Sequence, residues 1–258
     1  MPDLGCATQS LCAKVDFQSK AGLLETPMPR EPRPPRRLSL TQDLVARLPC
    51  SVPDPGPMPR AEVPDSYYVS ALAAINAAMP ADGQLWIFAF GSILWKRRFD
   101  VVEERPAMVR GWHRKFCLGP DIRYRGNPDA PGVMLSLDRG GQCQGMVLRM
   151  DPAGRDAALD HLLRHEPPVP PAWVRATTPQ GEVRAMAFVT NRASEGYQGD
   201  LCDAEVADRL ARAVGMWGSM AEYLRNTVGH LEEMGIHDAY LWRMQDMVAE
   251  RLARLPRN

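Results

Sequence analysis

The sequence predicts an α+β fold: a small mixed or barrel-like sheet, helices packed around it, and a helical C-terminal segment. Three observations carry this. Leu85-Trp86-Ile87-Phe88-Ala89-Phe90 is an unbroken apolar run of strand length, stopped by Gly91-Ser92. Such a run is buried on both faces and belongs in the middle of its sheet. Five further strand-like stretches follow, at about 105–118, 132–138, 142–150, 172–178 and 182–191. The last third then carries helical periodicity over 203–214, 219–234 and 238–255.

The elements follow in order. Residues 1–37 lack sustained periodicity, and from Pro27 the chain turns to Pro and Arg (Pro29, Pro32, Pro34 and Pro35 among Arg30, Arg33, Arg36 and Arg37). Closely spaced prolines favour extended backbone, so this extension is expected to be disordered. Thr41 or Ser39 can cap a helix carrying Leu44, Val45 and Leu48, which Pro49 ends. A proline-rich arm runs on to Pro64, and a helix over 65–79 with Tyr67, Val69, Leu72 and Ile75 precedes the central strand. Asp151-Pro152 starts another helix, with Leu159, Leu162 and Leu163 on one face and an end near His165. Gly235 closes the second of the three C-terminal helices, and Asp238 caps the last. Residues 38–258 are expected to form a single domain.

Composition narrows the function classes. The 258 residues carry 31 basic and 31 acidic side chains, so the formal charge is zero and nothing draws the chain to nucleic-acid phosphates. No apolar run approaches the roughly 18–20 residues that span a bilayer, and the first fifteen residues lack a signal-peptide pattern. The six cysteines contain no C-x-x-C pair and read as reduced thiols, which makes the cytoplasm the expected compartment. His161 and His165 share a helical face, but no third ligand cluster accompanies them, so they are read as solvated or capping histidines and no metal is expected.

Three segments could carry chemistry. The turn Phe90-Gly91-Ser92-Ile93-Leu94-Trp95 leaves the end of a buried strand, where several backbone N–H groups can face one ligand oxygen and Gly91 admits close approach. An ordinary turn is the alternative. In Leu162-Leu163-Arg164-His165-Glu166-Pro167-Pro168 an apolar helix face is followed at once by an acid. A carboxylate there gains nothing from the helix dipole, and burial would raise its pKa toward that of a useful general base. A surface Glu paired with an arginine is the alternative. The third segment, from Tyr223 to Asp238, sets Tyr223, Asn226, Thr227 and His230 close to an apolar stripe of Leu224, Leu231 and Met234. Polar groups so placed satisfy buried backbone or line a pocket.

Together these segments resemble the ChaC-like γ-glutamylcyclotransferases, which act on glutathione. The likeness runs through Phe88-Ala89-Phe90-Gly91-Ser92-Ile93-Leu94-Trp95 and Gly111-Trp112-His113-Arg114-Lys115-Phe116-Cys117-Leu118. It continues through Arg125-Gly126-Asn127-Pro128-Asp129-Ala130-Pro131-Gly132, Arg164-His165-Glu166, Gly196-Tyr197-Gln198-Gly199 and the Tyr223-to-Asp238 block. The resemblance implies a barrel-like catalytic domain in which Phe90, Gly91, Ser92, Ile93 and Leu94 cradle a γ-glutamyl group. Glu166 stands at the catalytic acid/base position, and Arg125 and Tyr197 join the pocket by family position alone. The implied reaction turns a small-molecule substrate, glutathione, into 5-oxoproline and cysteinylglycine with no cofactor. The chain departs from the family in having Phe90 where Tyr is usual, and in following Glu166 with the short rigid run Pro167-Pro168-Val169-Pro170-Pro171-Ala172-Trp173. Two other readings stay open: a cyclotransferase for other γ-glutamyl amines, and a catalytically weak γ-glutamyl-binding or interaction module.

Overall fold

The computed structural model describes residues 36–56, 63–169 and 171–256. The extension expected over 1–37 therefore lies outside the described residues except for its last two, as does the middle of the proline-rich arm. Arg36 already lies 5.9 Å from the Trp242 ring, so the described chain begins in contact with the domain.

Five strands close into a barrel in the order β1, β3, β2, β4, β5. They are β1 (Trp86–Ala89), β2 (Val101–Asp121), β3 (Gly132–Met150), β4 (Pro171–Thr178) and β5 (Gly181–Phe188). Neighbours run antiparallel except at the closing seam, where β1 lies parallel to β5 with Trp86 opposite Ala185. All four residues of β1 are buried, as its unbroken apolar run requires. Alternation along it feeds two cores. Trp86, Phe88 and Phe90 join residues from all five strands, among them Val109, Leu137, Val147, Ala176 and Ala187, to fill the barrel. Leu85, Ile87 and Ala89 face the other way, into a cluster shared with the helices.

The helices are α1 (Gln42–Val45), α2 (Asp65–Ala77), α3 (Arg155–His165), α4 (Asp203–Leu210), α5 (Met220–Glu233) and α6 (Ala239–Ala253). Their caps follow the sequence signals. Thr41, Ser219 and Asp238 each accept a backbone N–H from the first turn, and Gly235 takes the positive φ that ends α5. Leu210, Leu224, Leu231, Leu241, Met244, Val248 and Leu252 from α4, α5 and α6 pack as one fully buried face on the sheet.

Two expectations change. The stretches 132–138 and 142–150 are one strand, because Gly140 and Gly141 adopt positive φ and stand opposite Gly111 as a bulge instead of ending the pairing. The helix expected over 203–214 stops at Leu210. Beyond it the chain turns through a small hairpin, β6 (Val214–Gly215) and β7 (Gly218–Ser219). There Met216 and Trp217 donate their N–H groups to the carbonyls of Arg123 and Tyr124 in place of helical partners.

Candidate active site

The end of β1 is held by a buried cation. The Arg114 side chain, 1% exposed on β2, donates to the Phe90 carbonyl at 2.7 Å, to the Gln144 carbonyl on β3, and to the Asp238 carboxylate at 3.0 Å. Three elements thus meet on one planar donor fork just before the turn at Gly91. A short 3-10 turn, Ser92–Leu94, follows, with the Leu94 N–H donating to the Gly91 carbonyl at 3.0 Å.

Glu166 arrives from the opposite side. It is the C-cap of α3: its N–H still donates to the Leu162 carbonyl at 3.0 Å, while its backbone has left the helix for an extended conformation. Leu162 and Leu163, fully buried just before it, anchor the helix end against the core. The Glu166 carboxyl makes no hydrogen bond or ion pair among the described residues. Its side chain is half-buried, and loss of hydration there pushes its pKa from 4.5 to about 7, against the opposing pull of Arg98 and Lys96.

Phe90, Gly91, Ser92, Ile93 and Glu166 line one narrow cleft, so the two strongest sequence candidates meet. Met134, Leu135, Pro167, Phe188 and Tyr223 complete its walls. Apolar walls surrounding one acid account for the dry environment of that acid. Leu94, by contrast, is buried in the core below the turn. Arg125 flanks the cleft: its guanidinium lies 5.6 Å from the Tyr223 ring and is held by Glu222 at 2.8 Å and the Ser219 carbonyl at 3.0 Å. Tyr197 does not line the cleft; its hydroxyl donates to Asp138 at 3.0 Å, in a cluster with Arg192.

Tyr223 is the residue that sequence reasoning placed near the right stripe without giving it a role. Its hydroxyl accepts the backbone N–H of Ser92 and is hydrogen-bonded to the Ser92 side chain. Burial, reinforced by the charge of Glu166, raises its pKa to about 12, so the phenol stays protonated. A Cβ on Gly91 would stand 3.2 Å from that hydroxyl, a close approach that explains why a residue without a side chain sits there. The signal was present in the helical spacing, but only the fold shows that Tyr223 points at the turn.

The two histidines of α3 serve their own helix, with His165 Nδ1 2.7 Å from the His161 carbonyl. Among the described residues there is no group of three metal-binding side chains. Cys117 and Cys143 are buried, and loss of hydration pushes both thiols up to about 11. No described helix is long and apolar enough to cross a membrane.

Comparison with known proteins identifies the family. Residues 85–251 match the model of the family described as ChaC-like protein. The chain is 31% identical over 173 residues to the glutathione-specific γ-glutamylcyclotransferase of Escherichia coli (strain K12), covering 66% of this chain and 74% of that one. It is 27% identical over 178 residues to the human glutathione-specific γ-glutamylcyclotransferase 1, covering 65% and 80%. Among solved structures, a γ-glutamylcyclotransferase specific to glutathione from yeast superimposes with a TM-score of 0.61 at 18% identity, over 65% of this chain and 96% of that one, which shows a shared fold. The protein therefore belongs to the ChaC-like family.

Proposed function

We propose that this protein is a γ-glutamylcyclotransferase that cleaves glutathione into 5-oxoproline and cysteinylglycine, with Glu166 as its proton carrier. The observation that carries the reading is the meeting of Glu166 with the turn at residues 91–93 in one apolar cleft. Relatives that bear the name glutathione-specific γ-glutamylcyclotransferase support the choice of substrate.

In this reaction the substrate's α-nitrogen attacks its own γ-carbonyl carbon. A C–N bond forms to close a five-membered ring, and the C–N bond to the leaving amine breaks. The α-nitrogen begins as an ammonium and ends as a lactam N–H, losing two protons; the leaving nitrogen gains two and departs as an ammonium. Glu166 is suited to pass them, because a carboxyl with a pKa of about 7 is poised between base and acid at neutral pH. General acid–base help of this kind is worth roughly 10²–10⁴ in rate.

Negative charge builds on the γ-carbonyl oxygen during attack. The Tyr223 phenol, backed by the Ser92 N–H, and the turn amides not engaged within the fold are the donors for that oxygen or for the α-carboxylate, and one oxyanion donor contributes about 2.7–4 kcal/mol. The phenol's pKa of about 12 keeps its proton available for donation. Holding the γ-glutamyl chain curled in the cleft removes the entropy of ring closure from the activated step. Arg125, beside Tyr223, supplies a fixed positive charge at the cleft's flank. We place the reaction in the cytoplasm, where exposed thiols such as Cys50 and Cys202 stay reduced.

The test is release of 5-oxoproline and cysteinylglycine from glutathione by the purified full chain. Turnover by wild type that is lost in Glu166→Gln supports the reading; no turnover by wild type, or equal turnover by the variant, overturns it.

A further inference from the structure

Two cations just beyond the cleft-lining turn, Lys96 and Arg98, form no ion pair among the described residues. Lys96 follows directly from the turn that carries Ser92, and its backbone N–H donates to the Ser92 carbonyl at 2.7 Å. Its ammonium lies 5.1 Å from the centre of the Trp217 ring. Trp217 in turn lies against Tyr124 with ring centres 4.3 Å apart, and both aromatics are exposed, at 39% and 42%. Arg98, two residues on, is half-buried. Among the described residues neither Lys96 nor Arg98 has a carboxylate within 4.0 Å, although Arg97 between them pairs with Glu104 at 2.6 Å.

Loss of hydration and the charges of Arg98 and Arg125 disfavour the Lys96 ammonium, while Glu166 and Glu222 favour it, and Glu222 is already engaged by Arg125 at 2.8 Å. Lys96 and Arg98 are also the two cations whose charge reaches Glu166. Lys96 is thus tied by its backbone to Ser92, which lines the cleft together with Glu166, the acid that would protonate the leaving amine. In glutathione the terminal carboxylate lies two residues beyond the scissile nitrogen, up to about 7 Å of extended chain. An exposed aromatic face beside a cation suits an extended peptide chain ending in that carboxylate.

We propose that Lys96 and Arg98, with Trp217 as a platform, form a subsite for the terminal carboxylate of the leaving group, so that the enzyme selects γ-glutamyl peptides over γ-glutamyl amines lacking that charge. This deepens the proposed cyclotransferase reading and rests on it.

The experiment compares glutathione with its glycine carboxamide, measuring 5-oxoproline release by the purified full chain. The wild type prefers glutathione by about five- to tenfold in kcat/KM, the range of one or two partly exposed charge-assisted contacts. Lys96 also acts on the charge of Glu166, so any change in kcat is shared by both substrates and the ratio is the readout: Lys96→Gln loses most of the preference through a KM raised for glutathione and not for the carboxamide, and Lys96→Arg restores it. Equal losses on both substrates would place the cations at the γ-glutamyl end instead, and an intact preference in Lys96→Gln would deny them any part; either result overturns the subsite. Failure of the cyclotransferase reading is separable, because it appears as no turnover of either substrate by the wild type.

Discussion

Replacing Glu166 with Gln has two expected consequences of opposite sign, and together they isolate the carboxylate's role. The acid titrates near 4.5 when solvated and at about 7 in the fold, so the folded state holds its proton more tightly. Above pH 7 the carboxylate is charged in both states, and the fold bears the full penalty of an ion in a dry cleft. A gap of that size corresponds to about 3 kcal/mol. Below about pH 4.5 the group is protonated in both states and the penalty vanishes. Wild-type stability should therefore decline as pH rises from about 4.5 to 7 and show no further loss from this group above that. Gln fills the same space without a charge, so Glu166→Gln should be more stable than wild type by up to about 3 kcal/mol at pH 8, and near parity at pH 4.5. In a chain of this size the pH 8 difference is worth several degrees in Tm. The same variant should lose 5-oxoproline release by about 10² or more. In the wild type, kcat/KM should rise with pH up to a midpoint near 7, as the base loses its proton. Thermal melts at pH 4.5 and 8, run beside turnover assays, give both readings from one preparation. Equal Tm differences at the two pH values would refute the buried-acid argument, even if activity were lost.

Other outcomes follow from the same geometry. Tyr223→Phe keeps the ring packing but removes the hydroxyl bound to Ser92, so kcat/KM should fall at least tenfold with little change in Tm. Gly91→Ala brings a methyl to 3.2 Å from that hydroxyl and should lower turnover at least tenfold; combination with Tyr223→Phe should cost less than the product of the single losses, measured as a double-mutant cycle. Arg114→Met strands the Asp238 carboxylate and two carbonyls around a lost buried cation, and should destabilise by about 3–5 kcal/mol in chemical denaturation.

Much of this architecture was legible because local signals and burial coincide. β1 combines an uninterrupted apolar run with burial on both faces, and Ser219 and Asp238 cap the helices they precede. Glu166 stood out because an acid directly after an apolar helix face is a costly placement. Long-range pairings were harder. Nothing in β1 or β5 announces that they lie side by side in parallel, and that single seam turns a curved sheet into a barrel. Gly140 and Gly141 look like a break, but a bulge needs the same positive φ as a turn. Tyr197 shows the limit of position alone: its neighbours in sequence do not reveal Asp138, 59 residues away, which takes its hydroxyl.

The Arg114 fork ties the tip of the first strand to the residue that begins the last helix. Fifteen residues of α6, none of them within the cleft, thereby help to decide where the Ser92 amide sits. A substitution that unseats Asp238 but leaves the buried face of α6 in place should surface as sluggish chemistry well before the protein loses its overall shape.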